Sequence, residues 1–184
     1  MTALRASQSG GPHHVVVGVP GGIAAYKACI LVRLLMKAGL DVTVIPTRAA
    51  LEMVGRTTWE ALTGKPVYTD VTDDAVGVAH VRLGQEADLV IIARSSAHTL
   101  AKIRAGMADN LLTSTILVAT CPVVMAPAMH TEMWLNPATQ DNIAVLRKRG
   151  LDVLEPAVGR LTGPDSGPGR MPEPEDLAEY VLSR

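Results

Sequence analysis

Short, continuous apolar runs alternating with helix-period segments constrain this chain most. His14-Val15-Val16-Val17-Gly18-Val19 is such a run, suited to a strand covered on both faces. Behind it, Ile23, Ala24, Ala28, Leu31, Val32 and Leu35 trace one face of a helix ending at Gly39. Val42 to Ile45 predicts a second strand, followed by helical pieces near Ala49–Gly55 and Trp59–Leu62. Further strands are predicted at Asp88–Ala93, Pro122–Ala126 and Leu151–Leu154. Helices are predicted at Ala97–Ala105, Asn110–Ala119, Thr139–Arg149 and Glu173–Leu182. This alternation predicts an α/β fold, a parallel sheet with helices on both faces and right-handed crossovers.

The 184 residues are most simply one domain over 13–184, behind a disordered lead-in over 1–12. Phe is absent, so aliphatic side chains must fill the core. A net charge of −1 gives no reason to expect a nucleic-acid partner. No apolar run is long enough to span a bilayer, and residues 1–12 lack the apolar core of a secretory signal. Cys29 and Cys121 have neither disulfide-framework nor metal-ligand spacing, which suits a cytoplasmic protein without a metal.

Ligands of such sheets bind beyond the carboxyl ends of the strands. The informative stretches are therefore 20–22, 46–48, 94–99 and 127–134, where glycines, hydroxyls and histidines gather. Pro20-Gly21-Gly22-Ile23 joins the first strand to the first helix, a place where backbone N–H groups meet phosphate. An ordinary tight turn explains the loop equally well, because the dinucleotide fingerprint is incomplete. No carboxylate stands about 20 residues on to hold a ribose, so a mononucleotide fits better. Thr47 offers a hydroxyl to the same phosphate.

Arg94-Ser95-Ser96-Ala97-His98-Thr99 is unusually polar after an apolar strand, with Ser95 or Ser96 placed to cap a helix. His80, in Val78-Ala79-His80-Val81, is by spacing alone more often a surface or satisfied core residue than a catalyst. Pro127-Ala128-Met129-His130-Thr131-Glu132-Met133-Trp134 shows neither helical nor strand periodicity, and packing does not easily explain His130 beside Trp134.

With these segments in view, the chain resembles the homo-oligomeric flavin-containing cysteine decarboxylases, from about Val15 to Glu173. That family includes phosphopantothenoylcysteine decarboxylase and the peptidyl-cysteine decarboxylases of epidermin-type peptide biosynthesis. Gly21-Gly22-Ile23-Ala24-Ala25-Tyr26-Lys27 is similar to its first phosphate loop, and Ala79-His80-Val81 to its histidine segment. Residues 94–99 stand in place of its P-A-S-A-N-T motif, and Pro127–Trp134 in place of P-x-M-N-x-x-M-W. Gly106–Leu112 and Gly167-Pro168-Gly169-Arg170-Met171 also match.

The resemblance implies a flavodoxin-like, Rossmann-type fold, a trimer or dodecamer, and FMN, with FAD as the other possible flavin. It places Gly21, Gly22, Ile23, Thr47, Ser96, Ala97, His98, Thr99 and Ala128 at the flavin. His80 becomes the catalytic proton handler, and His130, Met133, Leu161, Thr162 and Gly163 the substrate contacts. The implied chemistry oxidises the carbon bearing sulfur to a thioaldehyde, an electron sink that lets the neighbouring carboxylate leave.

Three positions depart from the family pattern. Arg94 replaces a proline, and His98 and His130 replace asparagines. In addition, Gly163 falls where coenzyme A-type enzymes carry the clamp cysteine that completes reduction of the enethiol. That absence favours a peptidyl-cysteine decarboxylase that stops at the enethiol, acting on a cysteine-ended precursor peptide for aminovinyl-cysteine formation. The alternatives are phosphopantothenoylcysteine decarboxylation in coenzyme A biosynthesis and a non-catalytic flavin-binding regulatory protein.

Overall fold

The computed structural model describes residues 12–161 and 165–184. The strands are β1 (His14–Val19), β2 (Asp41–Pro46), β3 (Leu89–Ser95), β4 (Val123–Pro127), β5 (Asp152–Val153), β6 (Ala157–Arg160) and β7 (Ser166–Arg170). The helices are α1 (Ala25–Lys37), α2 (Arg48–Leu51), α3 (Arg56–Thr63), α4 (Ala79–Glu86), α5 (Ala97–Ala105), α6 (Leu111–Val118), α7 (Thr131–Leu135), α8 (Pro137–Lys148) and α9 (Pro174–Leu182). Apart from Pro12, the expected lead-in lies outside the described residues, as do Thr162 and Gly163 of the expected clamp.

Five parallel strands lie in the order β2-β1-β3-β4-β5, the flavodoxin-like arrangement. Strand period divides the core between the two faces. Val15, Val17 and Val19 meet Leu31, Leu35, Trp59 and Val181 on one side. On the other, Val16, Val90, Ile92 and Met125 meet Leu100, Leu112 and Ile143. Burial on both faces explains why these strands read as nearly continuous apolar runs.

Strand order reverses between β1 and β3, because β2 pairs on one side of β1 and β3 on the other. The loops leaving their carboxyl ends therefore part and open a crevice. Beyond the sheet, β6 and β7 form an antiparallel hairpin, docked where Met129 N–H donates to the Gly169 carbonyl at 2.9 Å.

Two helices and the hairpin have no counterpart in the sequence expectation. The stretch around His80 forms α4, held against α6 by close backbone approach. A Cβ on Gly84 would come within 2.8 Å of the Thr115 carbonyl oxygen. The aperiodic segment 127–134 runs into the short helix α7, with His130 at its N-cap and Trp134 buried. Five residues are too few to display a helical period.

Candidate functional site

A cleft of about 590 Å³ opens beyond the ends of β1, β2 and β3, at the point where strand order reverses. Its volume suits a mononucleotide-sized ligand. Gly21, Thr47, Ser96, His98 and Thr99 all line it, so the structure brings together loops separated in the chain. Ser96 is the N-cap of α5: its hydroxyl accepts from the Thr99 N–H at 3.2 Å and lies 3.1 Å from Thr99 Oγ1. Thr47 caps α2, accepting from the Ala50 N–H at 3.3 Å. Both helix starts thus present hydroxyls at the cleft wall.

The other expected flavin contacts stand apart from that wall. Ile23 is exposed, Ala97 packs against the α5 side of the core, and Ala128 is buried with its N–H on the Ser95 carbonyl at 3.0 Å. Gly22 has φ +152° and lies beneath the guanidinium of Arg94, which occupies the space a Cβ would need.

Sequence reasoning missed what Arg94 does. At the end of β3 the pairing with β4 shifts register between Ala93 and Ser95, leaving Arg94 as the bulged residue with φ +73°. Bulges redirect side chains. Here the side chain turns back across the first loop, and Nη1 donates to the Gly21 carbonyl at 2.7 Å. Proline holds φ near −65°, so the proline of the similar motif does not fit this backbone. The only sequence signal was the anomaly of an arginine in that place.

Asn110 and Thr113 were missed as lining residues. They form a capping box at the start of α6, a pattern legible as Asn-x-x-Thr. Arg48 and Lys102 bring positive charge, each paired within the cleft lining. Arg48 lies 2.6 Å from Asp70, and Lys102 donates to Asp109, holding that carboxyl below its usual range.

Of the expected catalytic and substrate residues, the described ones, His80, His130, Met133 and Leu161, do not line this cleft. His80 lies in the first turn of α4, its Nδ1 buried and without a hydrogen-bond partner among the described residues. His130 sits beside the hairpin with Nδ1 3.6 Å from Asp165 Oδ2, and the next residue, Thr131, donates to the Pro168 carbonyl at 2.8 Å. Met133 is exposed on α7, and Leu161 N–H donates to the Asp165 carbonyl at 2.8 Å. His130, Leu161 and Asp165 therefore gather at the hairpin, away from the cleft lining. Among the described residues no His, Cys, Asp and Glu group could hold a metal, and no helix is long and apolar enough to cross a membrane.

The chain is 62% identical over 173 residues to the coenzyme A biosynthesis bifunctional protein CoaBC of Mycolicibacterium smegmatis, covering 92% of this chain and 42% of that protein. It therefore spans less than half the length of that relative. A PPC decarboxylase variant complexed with pantothenoylaminoethenethiol superposes with a TM-score of 0.83 at 32% identity, covering 91% of this chain and 95% of that one. The FMN-dependent cysteine decarboxylase SpaF gives a TM-score of 0.76 at 32% identity, covering 92% and 95%. The sequence profile of the Flavoprotein family matches residues 4–184, and the chain belongs to that family.

Proposed function

We propose that this chain is an FMN-dependent decarboxylase of a cysteine-type thiol, acting on phosphopantothenoylcysteine in coenzyme A biosynthesis. The observation that carries it is the cleft at the β1/β3 reversal, built from a glycine loop and two capping hydroxyls. The 62% identity to a coenzyme A biosynthesis protein favours this substrate over a peptide. The missing clamp cysteine pointed toward the peptidyl-cysteine branch. One position in a loop weighs less than likeness over nearly the whole chain.

The residues present fit the cofactor. Gly21 and the Thr47 and Ser96 hydroxyls suit a phosphorylated polyol chain, and the buried Arg94 Nε lacks a partner. Bound there, FMN would supply the two-electron redox chemistry that decarboxylation of a thiol substrate needs. His80 holds and moves the proton of the substrate thiol, since its buried Nδ1 is uncommitted to any partner among the described residues. His130 orients the carboxylate, and Met133 and Leu161 shape the apolar surroundings. Reduction of the enethiol needs a proton donor other than a clamp cysteine. Cys29 and Cys121 are poor candidates, because burial pushes both thiols up and each packs against the core. The same reading includes a homo-oligomer.

The second reading is a peptidyl-cysteine decarboxylase, favoured by Gly163 at the clamp position. Incubation with phosphopantothenoylcysteine and, separately, with cysteine-ended peptides, followed by mass spectrometry, tests both. Loss of carbon dioxide alone from the former supports the proposal. Loss of carbon dioxide plus two hydrogens from a peptide, with the former untouched, supports the second. No change in either, with flavin bound, supports a non-catalytic flavin-binding protein.

A further inference from the structure

Among the described residues, the arginine and the lysine that line the cleft are each paired with a carboxylate, whereas Arg94 beside it is not. Arg48 faces Asp70 and Lys102 faces Asp109. Arg94 has one N–H group on the Gly21 carbonyl at 2.7 Å, while its Nε is buried with no partner. Among the described residues no carboxylate offsets it, and burial alone pushes its pKa below the ordinary arginine value. A desolvated cation without a counter-charge is costly until an anion joins it. The backbone that aims it is strained too, since φ +73° is a conformation that side chains other than glycine rarely adopt. Gly22, with no Cβ, leaves the guanidinium room to lie across the loop.

We propose that Arg94 is a positioning residue that holds the phosphate monoester of the bound flavin nucleotide and makes this chain select the phosphorylated cofactor over riboflavin. The inference rests on the flavin reading above and adds to it a residue that the similar motif does not supply. Gly21 lines the cleft and its carbonyl accepts from Nη1, so the guanidinium, itself outside the lining, is one hydrogen bond away from it, beside the loop that leads into α1. A dianionic phosphate there gives the guanidinium its counter-charge. A neutral ligand end gives neither the charge nor a strong acceptor.

The test titrates protein stripped of flavin with FMN and with riboflavin, following quenching of flavin fluorescence. It compares the native chain with Arg94→Gln and Arg94→Gly; glycine accepts φ +73° without strain, so the second variant keeps the fold accessible. FMN affinity is expected to fall roughly 10- to 100-fold in both variants. Riboflavin affinity should change less than about 3-fold, and inorganic phosphate should compete with FMN more strongly in the native chain. Equal losses for FMN and riboflavin would overturn the proposal, leaving Arg94 as a brace for the glycine loop. Failure of the native chain to bind either flavin would overturn the flavin reading itself, and the proposal with it.

Discussion

Lys27 Nζ donates to Glu173 Oε2 at 2.9 Å, across 146 positions of chain. The other Glu173 oxygen faces Arg170 at 3.0 Å. Lys27 lies in the first turn of α1, just after the glycine loop, and Arg170 ends β7. One carboxylate therefore ties the cofactor side of the fold to the hairpin that meets His130. The hydrogen bond from Lys27 holds the Glu173 carboxyl below its usual range.

Glu173→Gln is expected to lower stability at neutral pH by about 0.5–1 kcal/mol, modest because the carboxylate is partly exposed and screened. A carboxyl with a depressed folded-state pKa contributes fully above its unfolded value, near 4.5, and its contribution is lost as pH falls through the folded value. Urea denaturation near pH 7 and near pH 3 should therefore show a difference between the two proteins that shrinks in acid. A gap of equal size at both pH values would assign the effect to packing.

Asn110→Ala should destabilise the fold by about 1 kcal/mol, the usual cost of losing an N-cap. Asn110 Oδ1 accepts from the Thr113 N–H at 3.0 Å, and Thr113 Oγ1 accepts from the Asn110 N–H at 3.3 Å. Asn110→Asp should retain most of that stability in the same denaturation experiment. Parity of the alanine variant with the native chain would show that tertiary packing, rather than the cap, holds the start of α6.

Thr47→Val should weaken FMN binding by about 3- to 10-fold, the range expected for one neutral hydrogen bond. The structural cost should be small, because the Thr47 bond to Ala50 is long at 3.3 Å and α2 has only four residues. Flavin titration reads the first effect, and melting of the flavin-free protein reads the second. A large drop in melting temperature with unchanged affinity would place the hydroxyl's value in the fold.

His80→Asn should retain flavin and oligomeric state while losing turnover by about 10²- to 10⁴-fold, the contribution of a positioned acid or base. Steady-state kinetics with the cysteine-type substrate, alongside the flavin spectrum, check this. Near-native turnover would remove His80 from the chemistry.

His130→Ala should raise KM and slow decarboxylation, and His130→Asn should restore part of both. Asp165 Oδ2 lies 3.6 Å from Nδ1 and is exposed, so on the proposed reading the substrate's carboxylate would displace it. A substrate amidated at that carboxyl should bind less tightly to the native protein, with a much smaller penalty in His130→Ala. Equal penalties would leave His130 as the packing residue that starts α7.

The sequence alone determined the five strands of the parallel sheet, the start of α5 and three of the loops beyond the sheet's strands that line the cleft, at residues 20–22, 46–48 and 94–99. β1 and α5 begin and end where their sequence signals do, at His14–Val19 and Ala97–Ala105, and Ser96 caps α5. Those signals lie within a few residues of the element they specify: an apolar run, a capping hydroxyl, a stopping glycine. Only the tertiary structure decided the rest. The α4 helix, which carries His80, is short and is capped by Val78 with φ +44°, and Gly84 lets it lie close against the backbone at the end of α6. No local pattern announces a partner so far along the chain. Arg94 is the sharpest case. Its direction is set by a bulge in the pairing of β3 with β4, and its landing place is a carbonyl 73 positions earlier. A sequence shows that an arginine stands there; only the packing of one loop over another shows where its charge goes.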